Sequence, residues 1–307
     1  MLSYKKLSKK PRSFLSFTGV TRQQFNVILK DVKRNHRKQE ERRLSKRKRQ
    51  RAIGAGRKFD LELEDQLAML LVRYRLHLTR ELTGYLFGLD QSNAWRNTKY
   101  LEPAVKRSAP TPAKLHADSK KISDTHQLQL LFPELIAVTD GTEQAIPRPK
   151  DRTERRTHRS GKKKRHAVKN QITANRSGQT ARKPPHSPGR RNDCAVLKIK
   201  HPALPGEPAA FCDLGHLGVE KDFPEQASVL PCKKEPGREL TAHQMERSKL
   251  RRSVRIEAER AVSRIKKLRI SSDTFGNRPC RYDTISDIVC GIVNLKTRWK
   301  QELAVVP

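Results

Sequence analysis

Leu135-Ile-Ala-Val-Thr-Asp-Gly-Thr-Glu143 decides how the second half of the chain is read. Its four leading apolar residues, Ile136 and Val138 among them β-branched, read as a buried strand with Asp140 at its exit. Outward from it, Ala167-Val-Lys-Asn-Gln-Ile-Thr173 is a second strand and Asn175-Arg-Ser-Gly178 a hairpin turn. Ala209-Ala-Phe-Cys212 is a further strand ending at Asp213. A helical region from Glu239 to Ile270 carries Glu259, and a last helix from Thr284 to Leu303 shows Ile285, Ile288, Val289, Ile292, Val293 and Leu295 as its apolar face. Strands first and helices later imply an α/β domain, a mixed sheet flanked by helices, over residues 128–307.

The first half reads as all-α. Leu61 to Leu78 has leucines at helical spacing, with Glu62, Glu64 and Asp65 in the first turns, where they complement the helix dipole. Thr79 begins a short helix that Gly88 ends, and Asp90-Gln-Ser-Asn-Ala-Trp-Arg-Asn97 opens a third. These are the parts of a helix-turn-helix over 58–103, in which Gln91, Ser92, Asn93 and Arg96 would read DNA; a plain three-helix bundle has the same spacing. Before it, residues 1–57 form a basic helical arm. Thr21 and Gln24 make a capping box, with Phe25, Val27, Ile28 and Val32 facing inward. From Lys33 to Arg51 Lys and Arg dominate, with Glu40 and Glu41 the only acids, a solvated helix or a disordered arm that binds phosphates in either form. Residues 104–127, with Pro and Ser and little periodicity, read as a linker. No internal repeat is present.

Charge narrows the function. Across 307 residues, 67 Lys and Arg face 32 Asp and Glu, a formal net charge of +35, so a polyanion is the expected partner and a neutral small-molecule enzyme is not the default. Only 35% of residues are apolar and 5% aromatic, so the core is patchy along the chain. The longest apolar run, Leu67-Ala-Met-Leu-Leu-Val72, is far short of the roughly 20 residues that cross a bilayer, and no signal-peptide apolar region follows Met1. The expected place is the bacterial cytoplasm, at the nucleoid, with no membrane partner. The five cysteines are widely spaced without a C-x-x-C pair, which argues against a disulfide framework or a zinc ribbon; Cys212, His216 and Cys232 are more simply ordinary packing than a metal site.

In so basic a chain, isolated acids at strand ends carry information, because carboxylates repel the phosphates that the rest attracts. Magnesium resolves the conflict: it prefers carboxylate oxygens and bridges protein to a scissile phosphate. Asp140, Asp213 and Glu259 are the candidates. By spacing alone, Arg255 and Glu259 are also an ordinary i,i+4 surface pair.

The residues further resemble a family. Phe17-Thr-Gly-Val20, the helices from Leu61 to Phe87, Leu131-Phe-Pro-Glu-Leu135, Asp140-Gly-Thr-Glu143, Arg148-Pro-Lys-Asp151, Ser160-Gly-Lys-Lys-Lys-Arg-His-Ala-Val-Lys-Asn-Gln171, Asp213-Leu-Gly215 and Ser253-Val-Arg-Ile-Glu-Ala-Glu-Arg260 are similar, in this order, to bacterial insertion-sequence transposases of the DDE superfamily, in the Harbinger-related branch. The resemblance runs from about Phe17 to Leu295. It implies an RNase-H-like catalytic domain that cuts DNA at terminal inverted repeats and joins the freed 3′ ends to target DNA. Asp140, Asp213 and Glu259 would be its three acids and metal ligands, holding two Mg2+ ions, with Mn2+ as a substitute. Arg255 and Lys266 would position phosphate, and Lys162, Lys163 and Lys164 would contact DNA. A homodimer or higher assembly is expected in the synaptic complex.

The chain departs from that pattern in three places. Arg252 stands where the third-acid motif has tyrosine, Asp213-Leu-Gly-His216 replaces aspartate-lysine-glycine-tyrosine, and Asn192-Asp193 replaces histidine-aspartate. Asp193 reads either as support for the metal ligands or as a cap, and His166 either as a DNA contact or as a buried or capping histidine. Gly161-Lys162 is no P-loop, since Arg156 stands at the first glycine and no Ser or Thr follows the lysine. A non-catalytic DNA-binding protein derived from a decayed transposase, and an RNA-binding protein suggested by charge alone, are the rival readings.

Overall fold

The computed structural model describes residues 1–45, 52, 55, 59–112, 137–174, 178–192, 195–196, 210–212, 256 and 259–305, and of these the backbone only at 137–140, 210–212 and 300–305. The chain divides into two compact units. Unit 1 takes in Met1–Thr111, Lys266–Asp273 and Thr284–Pro307; unit 2 takes in Pro112–Ile265 and Thr274–Asp283. An all-helical N-terminal region thus precedes an open mixed sheet with helices, as the sequence implied.

Unit 1 begins with α1 (Tyr4–Ser8), α2 (Pro11–Thr18), α3 (Arg22–Leu44), α4 (Leu63–Leu76), α5 (Arg80–Phe87) and α6 (Gln91–Ser108). The local chemistry explains the boundaries. Both halves of the Thr21–Gln24 capping box form at the start of α3, and Gly19 ends α2 at φ +77°. On α3 the buried stripe is Phe25, Ile28, Leu29 and Val32; Val27, expected inside, lies off this stripe and is exposed. Helix α4 buries every residue from Leu67 to Val72, so it is the centre of the unit rather than an amphipathic surface helix. Tyr74 at its end is fully buried and donates its hydroxyl to Glu102 Oε1 at 3.0 Å, which satisfies both groups. Tyr4, Phe14 and Phe25 stack into an aromatic cluster beside it. Helix α6 runs through Pro103 to Ser108, five residues into the stretch read as linker, because Leu101, Ala104 and Val105 are buried and hold that turn helical.

The last helix of the chain closes the same unit. After its first two residues, the helix Tyr282–Val305 belongs to unit 1, where Asn294 donates to Pro110 O at 3.0 Å, Lys296 donates to Gly19 O and Lys106 pairs with Asp287 at 2.7 Å. Gly291 is needed there, since a Cβ would stand 2.7 Å from that of Ala109.

Unit 2 is built on β1 (Ala137–Ala145), β2 (Ala167–Ala174), β3 (Thr180–Arg182), β4 (Ser187–Pro188) and β5 (Ala210–Cys212), in the order β3-β2-β1-β5 with β4 also on β2. Strands β1, β2 and β3 are antiparallel neighbours, while β5 lies parallel to β1. This is the mixed, open sheet expected, and parallel β5 needs a crossover connection, as α/β folds supply. Between β3 and β4, Lys183-Pro-Pro-His186 interrupts the edge pairing, since proline has no N–H for the ladder. The freed His186 N–H instead donates to Asp283 Oδ1 at 2.8 Å, and its ring nitrogen lies 2.9 Å from Oδ2. Beside them, Asn170 donates to the Tyr282 hydroxyl at 3.1 Å, and Phe275 packs edge-on to Tyr282. Helix α7 (Arg152–His158) follows β1, capped by Asp151, and α8 is described from 259 to 266. No helix among the described residues is long and apolar enough to cross a membrane.

Candidate active site

Strand β1 organises the site. Asp140 is its fourth residue of nine and pairs in register with Ile172, so it sits within the strand and not at its exit. The strand is longer than its apolar run because antiparallel β2 continues the ladder to Ala145↔Ala167. On the other edge of β1, Thr139 pairs with Cys212 of β5. Each of these two paired residues is followed in the chain by an aspartate, Asp140 and Asp213 respectively. Asp213 itself lies outside the described residues, as do Arg255, Asp193, His216 and Cys232. The Asn175-Arg-Ser-Gly178 turn is described only at Gly178, whose φ is +76°.

Three residues after Asp140, Glu143 anchors a basic turn. Its Oε2 accepts from the Ser160 hydroxyl at 2.7 Å, and its Oε1 lies 3.4 Å from Lys169 Nζ on the opposed position of β2. Ser160 is buried and forms the base of the loop: its Oγ accepts from Lys163 N at 3.1 Å, its carbonyl from Lys164 N, and its own N–H donates to Arg165 O. Lys164 adopts a left-handed φ of +53°, which lets the loop close on the Arg159↔His166 bridge. Lys162, Lys163 and Lys164 are therefore displayed, exposed, on a turn tied to the strand that carries Asp140. Glu143 appeared in the sequence as part of a motif, but its anchoring role depends on partners 17 and 26 residues away.

Glu259 and Lys266 are both exposed on α8, seven residues apart, near two turns of a helix whose Ala261, Val262 and Ile265 are buried. In unit 1, the expected reading residues begin α6. Gln91 and Arg96 are exposed; Asn93 is half-buried and committed to the cap, where Asp90 Oδ1 accepts from its N–H at 2.9 Å and Oδ2 from its amide at 2.6 Å. Arg96 in turn donates to Asn93 Oδ1 at 3.0 Å. Trp95 lies under two cations, Lys99 at 4.7 Å and Arg80 at 5.8 Å from the ring centre. The α5–α6 turn is tight: Leu89 N donates to Gly84 O at 2.9 Å and Gly88 takes φ +71°.

Among the described residues no three His, Cys, Asp or Glu side chains are grouped as a metal ion requires, and of the three expected ligands only Glu259 has a described side chain. The donor set itself is all carboxylate oxygen, which suits a hard divalent cation such as Mg2+ and not a thiolate-seeking metal.

Comparison with known proteins agrees with this architecture. Residues 139–294 match the family described as DDE superfamily endonuclease, and residues 59–111 match the helix-turn-helix of DDE superfamily endonuclease. The chain belongs to the DDE superfamily endonuclease family. It is 27% identical over 289 residues to a probable transposase for insertion sequence element IS702 of Microchaete diplosiphon, covering 94% of this chain and 96% of that protein. No solved structure matches the chain. The matched endonuclease segment begins at Thr139, on β1, and the matched helix-turn-helix spans α4, α5 and α6.

Proposed function

We propose that the protein is a DNA transposase, of the Harbinger-related branch, that binds the terminal inverted repeats of an insertion element and carries out metal-dependent strand cleavage and strand transfer. The observation that carries this reading is the parallel pairing of Thr139 with Cys212, each followed in sequence by an aspartate, on the strand where the endonuclease match begins. Asp140, Asp213 and Glu259 would hold two Mg2+ ions, or Mn2+, which when bound activate the attacking oxygen and stabilise the leaving one. Water attacks the phosphodiester first and leaves a 3′-hydroxyl; that hydroxyl then attacks target DNA, with no covalent protein intermediate. Arg255 and Lys266 orient the phosphate, Lys162, Lys163 and Lys164 hold the flanking backbone, and Gln91 and Arg96 on α6 face base edges, with Asn93 holding Arg96 in place. The working form is a homodimer or higher assembly on two DNA ends, at the nucleoid.

The test is nicking of a labelled duplex carrying the element's own ends, with and without Mg2+, by wild type and Asp213→Ala. Cleavage at the end that disappears in the variant is the expected result. Binding without cleavage by either protein overturns the enzyme and leaves a decayed, DNA-binding relative, the reading that Leu214 and His216 favour in place of a lysine and a tyrosine.

A further inference from the structure

A cavity of about 730 Å3 opens beside α7, lined by Arg148, Arg152, Arg155, Arg156, Arg159 and Arg190. Gly161 and His166 complete the lining, so no carboxylate contributes to it. Arg152, Arg155 and Arg156 stand on α7 at i, i+3 and i+4, which puts them on one face, and Arg159 follows as the extended residue that ends the helix. Like charges at those spacings weaken a helix, and α7 carries a single acid, Glu154. Among the described residues none of the six guanidiniums is paired with a carboxylate. The Nε–H of Arg155 is buried without an acceptor, a state that native structures rarely leave uncompensated.

The frame around this charge is tied to its neighbours by backbone hydrogen bonds. Gly189 N donates to Ala167 O at 2.9 Å and Arg190 N to Thr157 O at 3.1 Å, so the Pro188-Gly189-Arg190 turn is bonded to both β2 and α7. A Cβ at Gly189 would stand 2.7 Å from Ala167 O and 2.9 Å from His158 O, a close approach that only glycine permits. Partial burial, then the charges of Arg159 and Arg148, hold the His166 imidazole below its ordinary value, the direction expected of a ring facing uncompensated cations.

Guanidinium forks in this number match the oxygens of phosphates spaced along a strand, not a single small anion. From Arg152 to His158 the helix rises about 9 Å, and a DNA strand carries one charge per roughly 3.4 Å of axis. We propose that the arginine-lined cavity of α7 is a docking site for the sugar–phosphate backbone of duplex DNA, holding about three consecutive phosphates of one strand. It deepens the DNA-transposase reading, on which it rests, by naming where unit 2 grips its substrate.

The experiment measures binding of the full chain to two labelled duplexes, one with the element's ends and one of unrelated sequence, over a salt series. Wild type is compared with Arg152→Gln/Arg156→Gln/Arg159→Gln and with the same three positions changed to lysine. The glutamine variant should lower the log–log salt slope by about 2–3 on both duplexes, and the lysine variant should keep it. In wild type, the His166 ring followed by NMR should titrate at higher pH once unrelated duplex is added, a readout that needs no variant to fold. Unchanged slopes with an unmoved His166 overturn the docking site. Nicking by wild type and Asp213→Ala is scored alongside. A lowered slope without any nicking retires the nuclease and keeps the docking site; nicking with an unchanged slope does the reverse.

Discussion

Glu143 and Lys169 stand directly opposite each other in the β1–β2 ladder, and their side chains meet at 3.4 Å, nearly out of contact with solvent. The pair is buried three residues from Asp140, and the same carboxylate carries Ser160 and so the lysine turn. Removing one partner of a buried pair leaves a charge that water no longer reaches. Glu143→Ala should destabilise unit 2 by about 3 kcal/mol in urea denaturation, and Glu143→Ala/Lys169→Ala should recover part of that loss. A double variant no more stable than the single one would show that the pair is not the source.

Gly84 sits where α5 meets the turn into α6. A Cβ there would lie 2.5 Å from Leu89 O, a backbone atom that cannot swing aside. Gly84→Ala should cost about 1–3 kcal/mol by overpacking and should weaken binding of the element's ends, because the start of α6 is displaced. Thermal melts and gel shifts read the two effects together; normal stability and normal binding would show that the turn tolerates the methyl.

Arg96 is exposed on α6 and held by Asn93. Arg96→Ala should reduce the preference for inverted-repeat over unrelated duplex by about 1–3 kcal/mol if the side chain meets a base, whereas a phosphate contact would weaken both alike and lower the salt slope by about 1. Competition binding distinguishes the two.

Acid should destabilise the protein in two windows. Burial holds His36 and His77 below their ordinary 6.5, in His77 against the pull of Asp273. Their neutral forms belong to the folded state, so this contribution is full above about 6.5 and falls as pH drops below it. Burial works to raise Asp283, but the His186 ring and the Lys183 ammonium outweigh it and hold the carboxyl well below its ordinary 3.8, so its contribution is lost only as pH falls under that value. Urea midpoints between pH 7.5 and pH 3 should show both declines, and His77→Gln should flatten the first.

The parts of the fold that were legible in the sequence are those decided locally. The Thr21–Gln24 box, the helix starts at Thr79 and Asp90 and the Gly88 stop all depend on residues within one turn, and each forms as read, with Thr79 and Asp90 as the capping side chains. What was misread depends on distant partners. Asp140 lies inside β1 because β2 extends the ladder, α6 passes Pro103 because its apolar residues find a core, and Val27 is exposed because Leu29 takes the stripe. Glu143 shows no sign in the sequence of holding Ser160 and Lys169, while the arginines of α7 did carry a signal in their i, i+3, i+4 spacing, one easily lost in a chain with 67 basic residues.

Unit 1 is begun by the first residues of the chain and finished by the last helix, with Lys296 reaching Gly19 and Asn294 reaching Pro110. Domains usually fold in the order in which the ribosome emits them. Here the first one started is not completed until the helix Tyr282–Val305 has been translated. Helices α1 to α6 therefore gain their final packing only in a chain whose β1–β5 sheet has already been made, and a product broken off before Tyr282 lacks the piece that would finish them.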